Sequence, residues 1–451
     1  MNIPRIVIAG TGSGCGKTTV SCAILQTLVN RNLKVGAFKC GPDYIDTMFH
    51  SRIIGTKSSN LDSFFFDNNT LKHLLVKNSK GLDISIIEGV MGFYDGISTL
   101  SYKASTYEVS EITKSPVILI VDAKGAALSV LAVIEGFLNF ASQNHICGVI
   151  LNRCTMGTYK MLASEIEKRF RGKVKPLGFL PKMPDCMIES RHLGLVTADE
   201  IKDLKNKLDI LAKQAEETIE IDEILKIAKS SESVETEEIK LPEFNEKVRI
   251  AVAKDEAFCF YYKDSLKILE ELGADIVEFS PLGDEELPSN IHGIYLGGGY
   301  PELYANRLSE NKKMLMSVKT ALQNNMPCIA ECGGFMYLVE YIGEYSMVGY
   351  LTGKCFDNKK LTRFGYVTLK AKKDNMLCKR GEKIPAHEFH YWDTEITGTD
   401  FTAEKPSGKS WDCIFATDTL YAGYPHFNFW ANTDFATNFY EACLREKKRH
   451  D

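Results

Sequence analysis

One segment near the start of the chain restricts the fold more than any other feature. Residues 6–19 have the sequence IVIAGTGSGCGKTT, an apolar strand followed by a glycine-rich turn and a Lys-Thr-Thr run that opens a helix-like stretch. In loops of this kind, backbone N–H groups and the helix N-terminus surround phosphates, Lys17 neutralises their oxygens, and the Thr18 hydroxyl can bind Mg²⁺. The segment therefore predicts a P-loop in an α/β domain that binds ATP with Mg²⁺.

The loop departs from the strict pattern G-x-x-x-x-G-K-[ST] at one position. The first glycine of that pattern would fall at Thr11, which lies between Gly10 and Gly12. We expect these two flanking glycines to leave the turn enough freedom. The predicted nucleotide-binding residues are Gly12, Gly14, Gly16, Lys17, Thr18 and Thr19.

A P-loop also needs a second oxygen ligand for Mg²⁺ from a neighbouring strand. The sequences FKCGPDYIDTMF and SIIEGVMGFYDG each place carboxylates after an apolar run, and ligands gather at the carboxyl ends of parallel strands. The predicted metal ligands are Thr18, Asp43 and Glu88, and the predicted residues that position substrate or metal are Asp46 and Asp95. Which of the three aspartates contacts the metal stays open, and Glu88 taken alone could be a surface carboxylate.

Short apolar runs alternate with helix-like stretches in both halves of the chain. This alternation predicts parallel sheets covered by helices on both faces. Helix formers occupy about 202–229, and residues 230–247 are acidic, nearly free of aromatic side chains and contain Pro242, which is typical of an exposed linker. We therefore expect two unlike α/β domains, 1–229 and 248–451, joined by the linker 230–247.

The charge balance of the 451 residues argues against several partners. Lys and Arg number 54 and Asp and Glu 59, a net charge of −5, so no excess of basic residues is present to bind nucleic acid or a membrane surface. The N-terminus lacks the apolar core of a signal peptide, and no run of eighteen apolar residues occurs. The 13 cysteines fall singly, which favours reduced thiols. We expect a cytoplasmic protein with neither a nucleic-acid partner nor a membrane partner.

A second motif predicts acyl chemistry. In PCIAECGGFMYL a strand-like run reaches Cys332, and Gly333 opens a helix-like segment. A thiol at such a turn lies at a helix N-terminus, where the dipole is expected to lower its pKa and backbone amides can hold an oxyanion. The upstream sequence IYLGGGYPE offers a second glycine-rich turn. The predicted oxyanion pocket consists of Gly297, Gly298, Gly299 and Gly333.

A thiolate mechanism also needs a base, and three histidines lie near the C-terminus. We select His426, which stands late in the chain between aromatic and β-type residues, and interpret His387 and His390 as a structural or substrate-lining pair. Position 428, two residues after His426, is Asn428 rather than an acid. The sequence thus supports a Cys332–His426 pair and does not support a Cys–His–Glu triad.

Taken together, the motifs resemble the cobyrinic acid a,c-diamide synthase family of cobalamin biosynthesis, which are ATP-dependent glutamine amidotransferases. The similarity extends over nearly the whole chain. It rests on GTGSGCGKTT, FKCGPDYID, NLDSFFF, EGVMGFYDG, VDAKG, ILNRC, RHLGL, YLGGGYPE, ECGGFMYL, HEFHYW and PHFNFW. Ordered motifs in this number are far more specific than a P-loop alone.

The resemblance implies a dethiobiotin-synthetase-like P-loop domain and a class I glutamine amidotransferase domain of the cobyrinic and cobyric acid synthase type. That type has a Cys–His arrangement without the usual acid, and its nucleophile and base map onto Cys332 and His426. The family often has a second His where Asn428 stands. The implied enzyme is a ligase that amidates the a and c carboxylates of cobyrinic acid through an acyl phosphate, with ammonia from glutamine.

Two alternatives stay open at this point. The same chemistry could act on hydrogenobyrinic acid or nickel sirohydrochlorin, and the sequence does not say whether the tetrapyrrole carries cobalt. From another class, a P-loop switch ATPase would carry a signature lysine early in the loop, where this chain has Gly12, and would have no glutaminase domain. The order of amidation, the ammonia route and the oligomeric state stay open, and a homodimer is one assembly that we consider.

Overall fold

The apolar runs of both halves form strands, and the segments between them form helices. The computed structural model describes residues 2–186 and 198–450. Within it the chain divides into two compact units, Met1–Ile239 and Lys240–Asp451. Their boundary falls inside the predicted linker 230–247. The RHLGL motif, which begins at Arg191, lies outside the described residues.

The first unit is an α/β domain built around a parallel sheet. Its strands are β1 (Arg5–Gly10), β2 (Val35–Cys40), β3 (Lys57–Leu61), β4 (Ile84–Glu88), β5 (Val117–Asp122), β6 (Ile146–Asn152) and β7 (Lys175–Leu180). Its helices are α1 (Lys17–Asn30), α2 (Tyr44–Phe49), α3 (Asn68–Ser79), α4 (Thr106–Thr113), α5 (Ser129–Phe140), α6 (Met156–Phe170), α7 (Ala198–Thr218) and α8 (Ile221–Lys229). A π-helical turn at His50–Ile54 follows α2 directly, and a 3₁₀ turn lies at Pro184–Cys186.

All seven strands of this sheet run parallel, in the order β3-β2-β4-β1-β5-β6-β7. Every residue of β1, β2 and β4 is buried, as expected for a sheet covered on both faces. The order places β1, which leads into the P-loop, between β4 and β5. The carboxyl end of β4 therefore lies beside the phosphate-binding turn, and the predicted fold class is confirmed for this unit.

The predicted linker is not exposed along its whole length. The Ser231 hydroxyl donates a hydrogen bond to the Arg5 carbonyl at 2.8 Å, and Val234 is buried. The Glu237 N–H donates to the Asn69 side chain at 2.8 Å. Acidic composition suggested solvent exposure, but the serine and valine between the acids supply contacts to the first unit. Residues 231–237 of the predicted linker thus pack against the rest of the first unit.

The second unit is also α/β and carries more antiparallel strands. Its strands are β8 (Val248–Ala253), β9 (Phe258–Phe260), β10 (Ala274–Phe279), β11 (Gly293–Leu296), β12 (Gly298–Gly299), β13 (Cys328–Glu331), β14 (Val339–Ile342), β15 (Tyr345–Ser346), β16 (Leu351–Asp357), β17 (Arg363–Ala371), β18 (Lys383–His390), β19 (Trp392–Thr394), β20 (Phe401–Glu404), β21 (Ser410–Cys413), β22 (Phe415–Ala416), β23 (Leu420–Gly423) and β24 (His426–Phe427). Its helices are α9 (Lys263–Leu272), α10 (Ala305–Glu310), α11 (Lys312–Gln323), α12 (Gly333–Leu338) and α13 (Thr433–His450), with 3₁₀ turns at Pro301–Tyr304 and Phe429–Ala431.

The central sheet of this unit has the order β10-β8-β11-β13-β23-β22, parallel except for the last pair. A five-stranded antiparallel sheet, β21-β20-β17-β18-β24, joins it through the C-terminal segment. Because β13 lies between β11 and β23 and pairs with both in parallel, the carboxyl ends of these three strands lie side by side at one edge of the sheet. Among the residues that the structure describes, no helix has the length and apolar character needed to cross a membrane.

Candidate active sites

The glycine-rich turn of the first unit joins β1 directly to α1. Gly14 and Gly16 have φ values of 76° and 96°, the left-handed region that glycine adopts without strain. The Asn152 side chain donates to the Cys15 carbonyl at 2.9 Å, and a Cβ on Gly16 would lie 1.9 Å from its amide nitrogen. Gly16 is therefore required by both conformation and space.

Lys17 is folded back on the turn. Its Nζ donates to the Gly12 carbonyl at 3.2 Å and to the Met91 carbonyl. Burial lowers the pKa of Lys17, although nearby groups including the Glu88 carboxylate act in the opposite sense. The ammonium is thus held by two carbonyls of the surrounding loops, in a position from which it can turn toward an anion.

Glu88 ends β4 and is the most heavily contacted carboxylate of this site. Its Oε1 accepts hydrogen bonds from the Thr18 hydroxyl at 2.9 Å and from Lys39 Nζ at 2.8 Å. Its Oε2 lies 3.3 Å from His50 Nε2. Burial by itself would raise the pKa of Glu88, but Lys39 and His50 outweigh it and hold that pKa well below the usual range. Glu88 is therefore an anion beside the first turn of α1, not a surface carboxylate.

The three predicted aspartates have different surroundings. Asp43 caps α2, accepting from the Asp46 N–H at 3.0 Å, and burial together with the Asp46 charge raises the pKa of Asp43 to about 6. Asp46 forms an ion pair with Lys39 at 2.5 Å. Asp95 accepts from the Gly92 N–H at 2.8 Å, in a loop that packs against the P-loop glycine at position 12.

These residues can be tested for their fit to Mg²⁺. Mg²⁺ takes oxygen ligands and is usually held by one or two protein groups together with substrate phosphates. The Thr18 hydroxyl and the Glu88 carboxylate are adjacent hard oxygens at the P-loop, so they fit this requirement. Asp43 is occupied as a helix cap. Among the described residues no cluster of three or more His, Cys, Asp and Glu side chains forms a ligand set by itself.

In the second unit the predicted nucleophile lies at a sharp turn. Cys332 has φ 48° and ψ −102°, a strained conformation for a residue other than glycine. Its N–H donates to the Gly423 carbonyl at 2.8 Å, and its carbonyl accepts from the Met336 N–H at 2.9 Å. The turn thus joins β13 to α12 in the strand–nucleophile–helix arrangement that the motif predicts.

The expected lowering of the Cys332 pKa is wrong for the unliganded protein. Burial raises the pKa of the thiol well above its ordinary value, and the charge of Glu302 adds to the rise. A hydrogen bond from the Gly333 N–H acts in the opposite sense but is weaker. Helix α12 has only six residues, so desolvation dominates over the helix terminus. The thiol is therefore protonated at neutral pH unless a base takes its proton.

His426 begins β24 and borders the glycine turn that follows β11. A Cβ on Gly298 would lie 2.5 Å from His426 Cε1 and 3.2 Å from Nε2, so only glycine admits the ring. On the other side, the Gly299 nitrogen lies 3.0 Å from the position of a Cβ on Gly333. This turn therefore touches both the imidazole and the segment that follows Cys332.

One glycine of the predicted oxyanion pocket is already used. The Gly297 N–H donates to the Tyr261 hydroxyl at 2.8 Å. This N–H therefore has a partner in the present geometry, and the assignment of Gly297 to the oxyanion pocket stays a prediction. The N–H groups of Gly299 and Gly333 are nearer to the cysteine turn.

Comparison with known proteins gives the same division of the chain. The family model described as CobQ/CobB/MinD/ParA nucleotide binding domain matches residues 6–195, and that described as CobB/CobQ-like glutamine amidotransferase domain matches residues 249–434. A cobyrinate a,c-diamide synthase of Clostridium acetobutylicum is 43% identical over 95% of this chain and 98% of its own. Proteins of the same name from Caldanaerobacter subterraneus and Thermoplasma volcanium are 41% identical, over 97% of this chain and 98% of the relative, and 36% identical, over 100% of both. The chain belongs to the cobyrinate a,c-diamide synthase family. The family resemblance, the two-domain fold class and the amidating ligase predicted from the motifs are thereby confirmed.

Membership defines the enzyme class. The chain is a glutamine-dependent amidating ligase with an ATP-binding P-loop domain. A P-loop switch ATPase, the alternative from another class, would not carry the amidotransferase domain matched over 249–434.

Sequence reasoning missed two buried basic side chains of the candidate synthetase site. Lys39 is buried within β2, and the charges of Glu88 and Asp46 outweigh the effect of burial to raise its pKa. His50 is fully buried at the start of the π-helical turn. A lysine inside the apolar run VGAFKC was a usable signal, because a buried charge requires partners. His50 gave no comparable signal in the sequence.

The candidate glutaminase site also contains an acid that sequence reasoning missed. Glu331, the residue before the nucleophile, lies 3.6 Å from His426 Nδ1 through its Oε2. The prediction considered an acid only at position 428, and there Asn428 accepts from the Trp430 N–H at 3.0 Å. His390 stacks on Tyr424 with ring centroids 3.9 Å apart, which agrees with a structural role.

Proposed function

We propose that the second unit releases ammonia from glutamine at Cys332. The His426 imidazole takes the thiol proton, and Sγ attacks the side-chain amide to form a tetrahedral oxyanion near the N–H groups of Gly299 and Gly333. The protonated imidazole then gives its proton to the leaving nitrogen, ammonia departs, and water hydrolyses the thioester to glutamate. The strained Cys332 turn at the start of α12, beside the glycine turn that borders His426, is the observation that carries this proposal.

We infer that the first unit activates a carboxylate with ATP. The carboxylate oxygen attacks the γ-phosphoryl group, ADP leaves, and ammonia then displaces phosphate from the acyl carbon to leave an amide. Lys17 would turn from the loop carbonyls to the phosphate oxygens, and the Thr18 hydroxyl with Glu88 would hold Mg²⁺. The metal, when bound, would neutralise charge on the transferring phosphoryl group.

We propose cobyrinic acid as the substrate, amidated at its a and c carboxylates in cobalamin biosynthesis. Support comes from the relatives of that name, which match over nearly the full length of both chains. Hydrogenobyrinic acid and nickel sirohydrochlorin carry similar carboxylates, so a panel of the three acids with ATP and glutamine tests the assignment. Turnover of cobyrinic acid below that of the other two would refute it.

The division of labour between the units is tested with Cys332→Ala and His426→Ala. We expect both variants to lose glutamine-dependent synthesis, because only that reaction needs a thiolate, and to keep synthesis with ammonium chloride at alkaline pH. His390→Ala, which alters a stacked histidine of the same unit, is the control and should keep both reactions. Full glutamine-dependent activity of Cys332→Ala would disprove the proposed glutaminase site.

A further inference from the structure

Glu331 is a buried carboxylate directly before the proposed nucleophile. Only 1% of the residue is exposed. Its Oε2 accepts from the Tyr295 hydroxyl at 3.1 Å, and its Oε1 accepts from the Phe427 N–H at 3.2 Å. Burying a carboxylate is costly unless hydrogen bonds or a cation compensate, so these two donors account for part of the cost and fix the orientation of the group.

The fixed carboxylate is directed at one edge of the His426 ring. Its Oε2 lies 3.6 Å from Nδ1, whereas the Cε1–Nε2 edge faces Gly298 of the glycine turn. The distance is that of an ion pair and exceeds a hydrogen bond, and such contacts are often long in unliganded enzymes and shorten in the substrate complex. The two nitrogens therefore have separate surroundings, with the acid on one side and the glycine turn on the other.

The strained turn explains how two consecutive residues, Glu331 and Cys332, can both lie on the side of His426. Successive residues of an extended strand point to opposite faces, which would separate Glu331 from Cys332. At Cys332 the chain leaves the extended conformation, with φ 48°, while Glu331 keeps strand pairing with Gly423. The residue before the turn and the residue at the turn can then both face His426.

We propose that Glu331 is a positioning residue for glutamine hydrolysis: it orients His426 through Nδ1 and stabilises the protonated ring. The inference rests on the proposed Cys332–His426 chemistry. The thiol proton moves to Nε2, the Nδ1–H is held by Glu331, and the carboxylate itself exchanges no proton. The acid of this catalytic group thus comes from the position before the nucleophile and not from a position after the histidine.

The test uses Glu331→Gln in the full-length protein. The amide keeps the size of the side chain and an oxygen for the Phe427 N–H but loses the charge. Removal of the acid from a Ser–His–Asp triad costs about 10⁴-fold in kcat; because the contact here is longer, we expect kcat for glutamine to fall by about 10- to 10²-fold with little change in KM. Ammonia-dependent synthesis should stay at the wild-type rate.

A pH profile separates positioning from a merely structural role. Loss of a negative charge beside the imidazole destabilises its protonated form, so the limb of the glutaminase profile that reports imidazole protonation should move by about one pH unit or more toward acid. His387 is the register partner of His426 on β18, and the variant leaves both His387 and the proposed nucleophile Cys332 unchanged. Glu331→Asp should recover part of the rate and of the limb position.

Glu388→Gln is the matched control, since Glu388 is also 1% exposed and lies 3.5 Å from a histidine, His390. It should leave the limb in place. A wild-type rate and profile in Glu331→Gln, or an equal limb shift in Glu388→Gln, would overturn the proposal while Cys332→Ala still tests the glutaminase itself. If Glu331→Gln does not fold, the profile of Glu331→Asp decides: an unmoved limb with a wild-type rate refutes the role.

Discussion

Replacing Glu88 with glutamine removes a charge on which several polar groups of the candidate synthetase site converge. Oε1 accepts from Thr18 and Lys39, and Oε2 faces His50. Glutamine has nearly the same shape, so the backbone of β4 should not move. The variant therefore isolates the effect of the charge.

The size of the effect can be worked from these contacts. A hydrogen bond to a charged group contributes about 1.5–3 kcal/mol, and two such bonds, to Thr18 and Lys39, lose their charged acceptor. If both are needed in the transition state, carboxylate activation should fall by about 10² to 10⁴-fold. Breaking a buried ion pair costs about 3–5 kcal/mol, and Lys39 keeps Asp46 as a partner. We expect about 3 kcal/mol of destabilisation, which lowers the melting temperature of a unit of this size by about 6–12 °C.

The assay is ATP-dependent amidation with saturating ammonia across a Mg²⁺ titration, well below the melting temperature. Ammonia bypasses the glutaminase, and glutamine hydrolysis by the same sample at its basal rate shows that the second unit is folded. Asp67→Asn, which alters an exposed carboxylate that caps α3 by accepting from the Thr70 N–H at 2.7 Å, is the matched control. Wild-type turnover with unchanged Mg²⁺ dependence in Glu88→Gln would refute the role of Glu88 and direct attention to Asp46 or Asp95.

Two further predictions follow from carboxyl groups with raised pKa values. Burial raises the pKa of Glu302 to about 7, and the charge of Glu302 raises the pKa of Cys332. In Glu302→Gln, alkylation of Cys332 by iodoacetamide, followed by peptide mass spectrometry, should therefore be faster than in the wild type at pH 8 and equal to it at pH 6. Wild-type rates at both pH values would contradict the coupling. The pKa of Asp43 is about 6 against 3.8 for the free side chain, so its ionisation destabilises the folded state increasingly as pH rises from about 4 to 6. Asp43→Asn, which keeps the helix cap, should therefore gain about 1–3 kcal/mol in free energy of unfolding above pH 6 and nothing below pH 4. A gain measured by calorimetry that does not depend on pH would exclude this origin.

How far the sequence predicts each site depends on how local the determinants are. The P-loop and the cysteine turn are encoded by consecutive residues, because glycines permit the backbone and the flanking apolar runs supply the strand. The strands β3 and β7 do not show as apolar runs in the sequence, since KSSNL is polar and KPLGFL contains proline and glycine. The polar side chains of β3 are buried because residues outside the strand supply their hydrogen-bond partners. The Asn60 side chain, for example, donates to the Gly41 and Asp43 carbonyls at 2.9 Å.

Contacts between residues distant in sequence were beyond such reasoning. Glu331 and His426 are 95 positions apart, and only the pairing of β13 with β23, followed by β24, brings them together. The sequence analysis considered an acid only two residues after His426, whereas Glu331 lies in a different strand. The burial of Glu331 follows from its place at the end of an apolar run, which is the same signal that led to Glu88.

The two strand-terminal glutamates differ in what balances their charge, and this difference suits different chemistry. Glu88 faces the cation Lys39 together with His50, so its negative charge is compensated before any ligand binds and it can remain ionised while held close to the P-loop. Among the described residues, Glu331 accepts hydrogen bonds from two neutral donors, the Tyr295 hydroxyl and a backbone N–H, and lies beside His426. Burial and the Glu331 charge keep the pKa of Tyr295 well above its ordinary value, so that hydroxyl stays a neutral donor. A positive charge that forms on His426 during glutamine hydrolysis would therefore be the main cation beside Glu331. Under that condition the buried carboxylate stabilises the transient imidazolium more than the neutral ring.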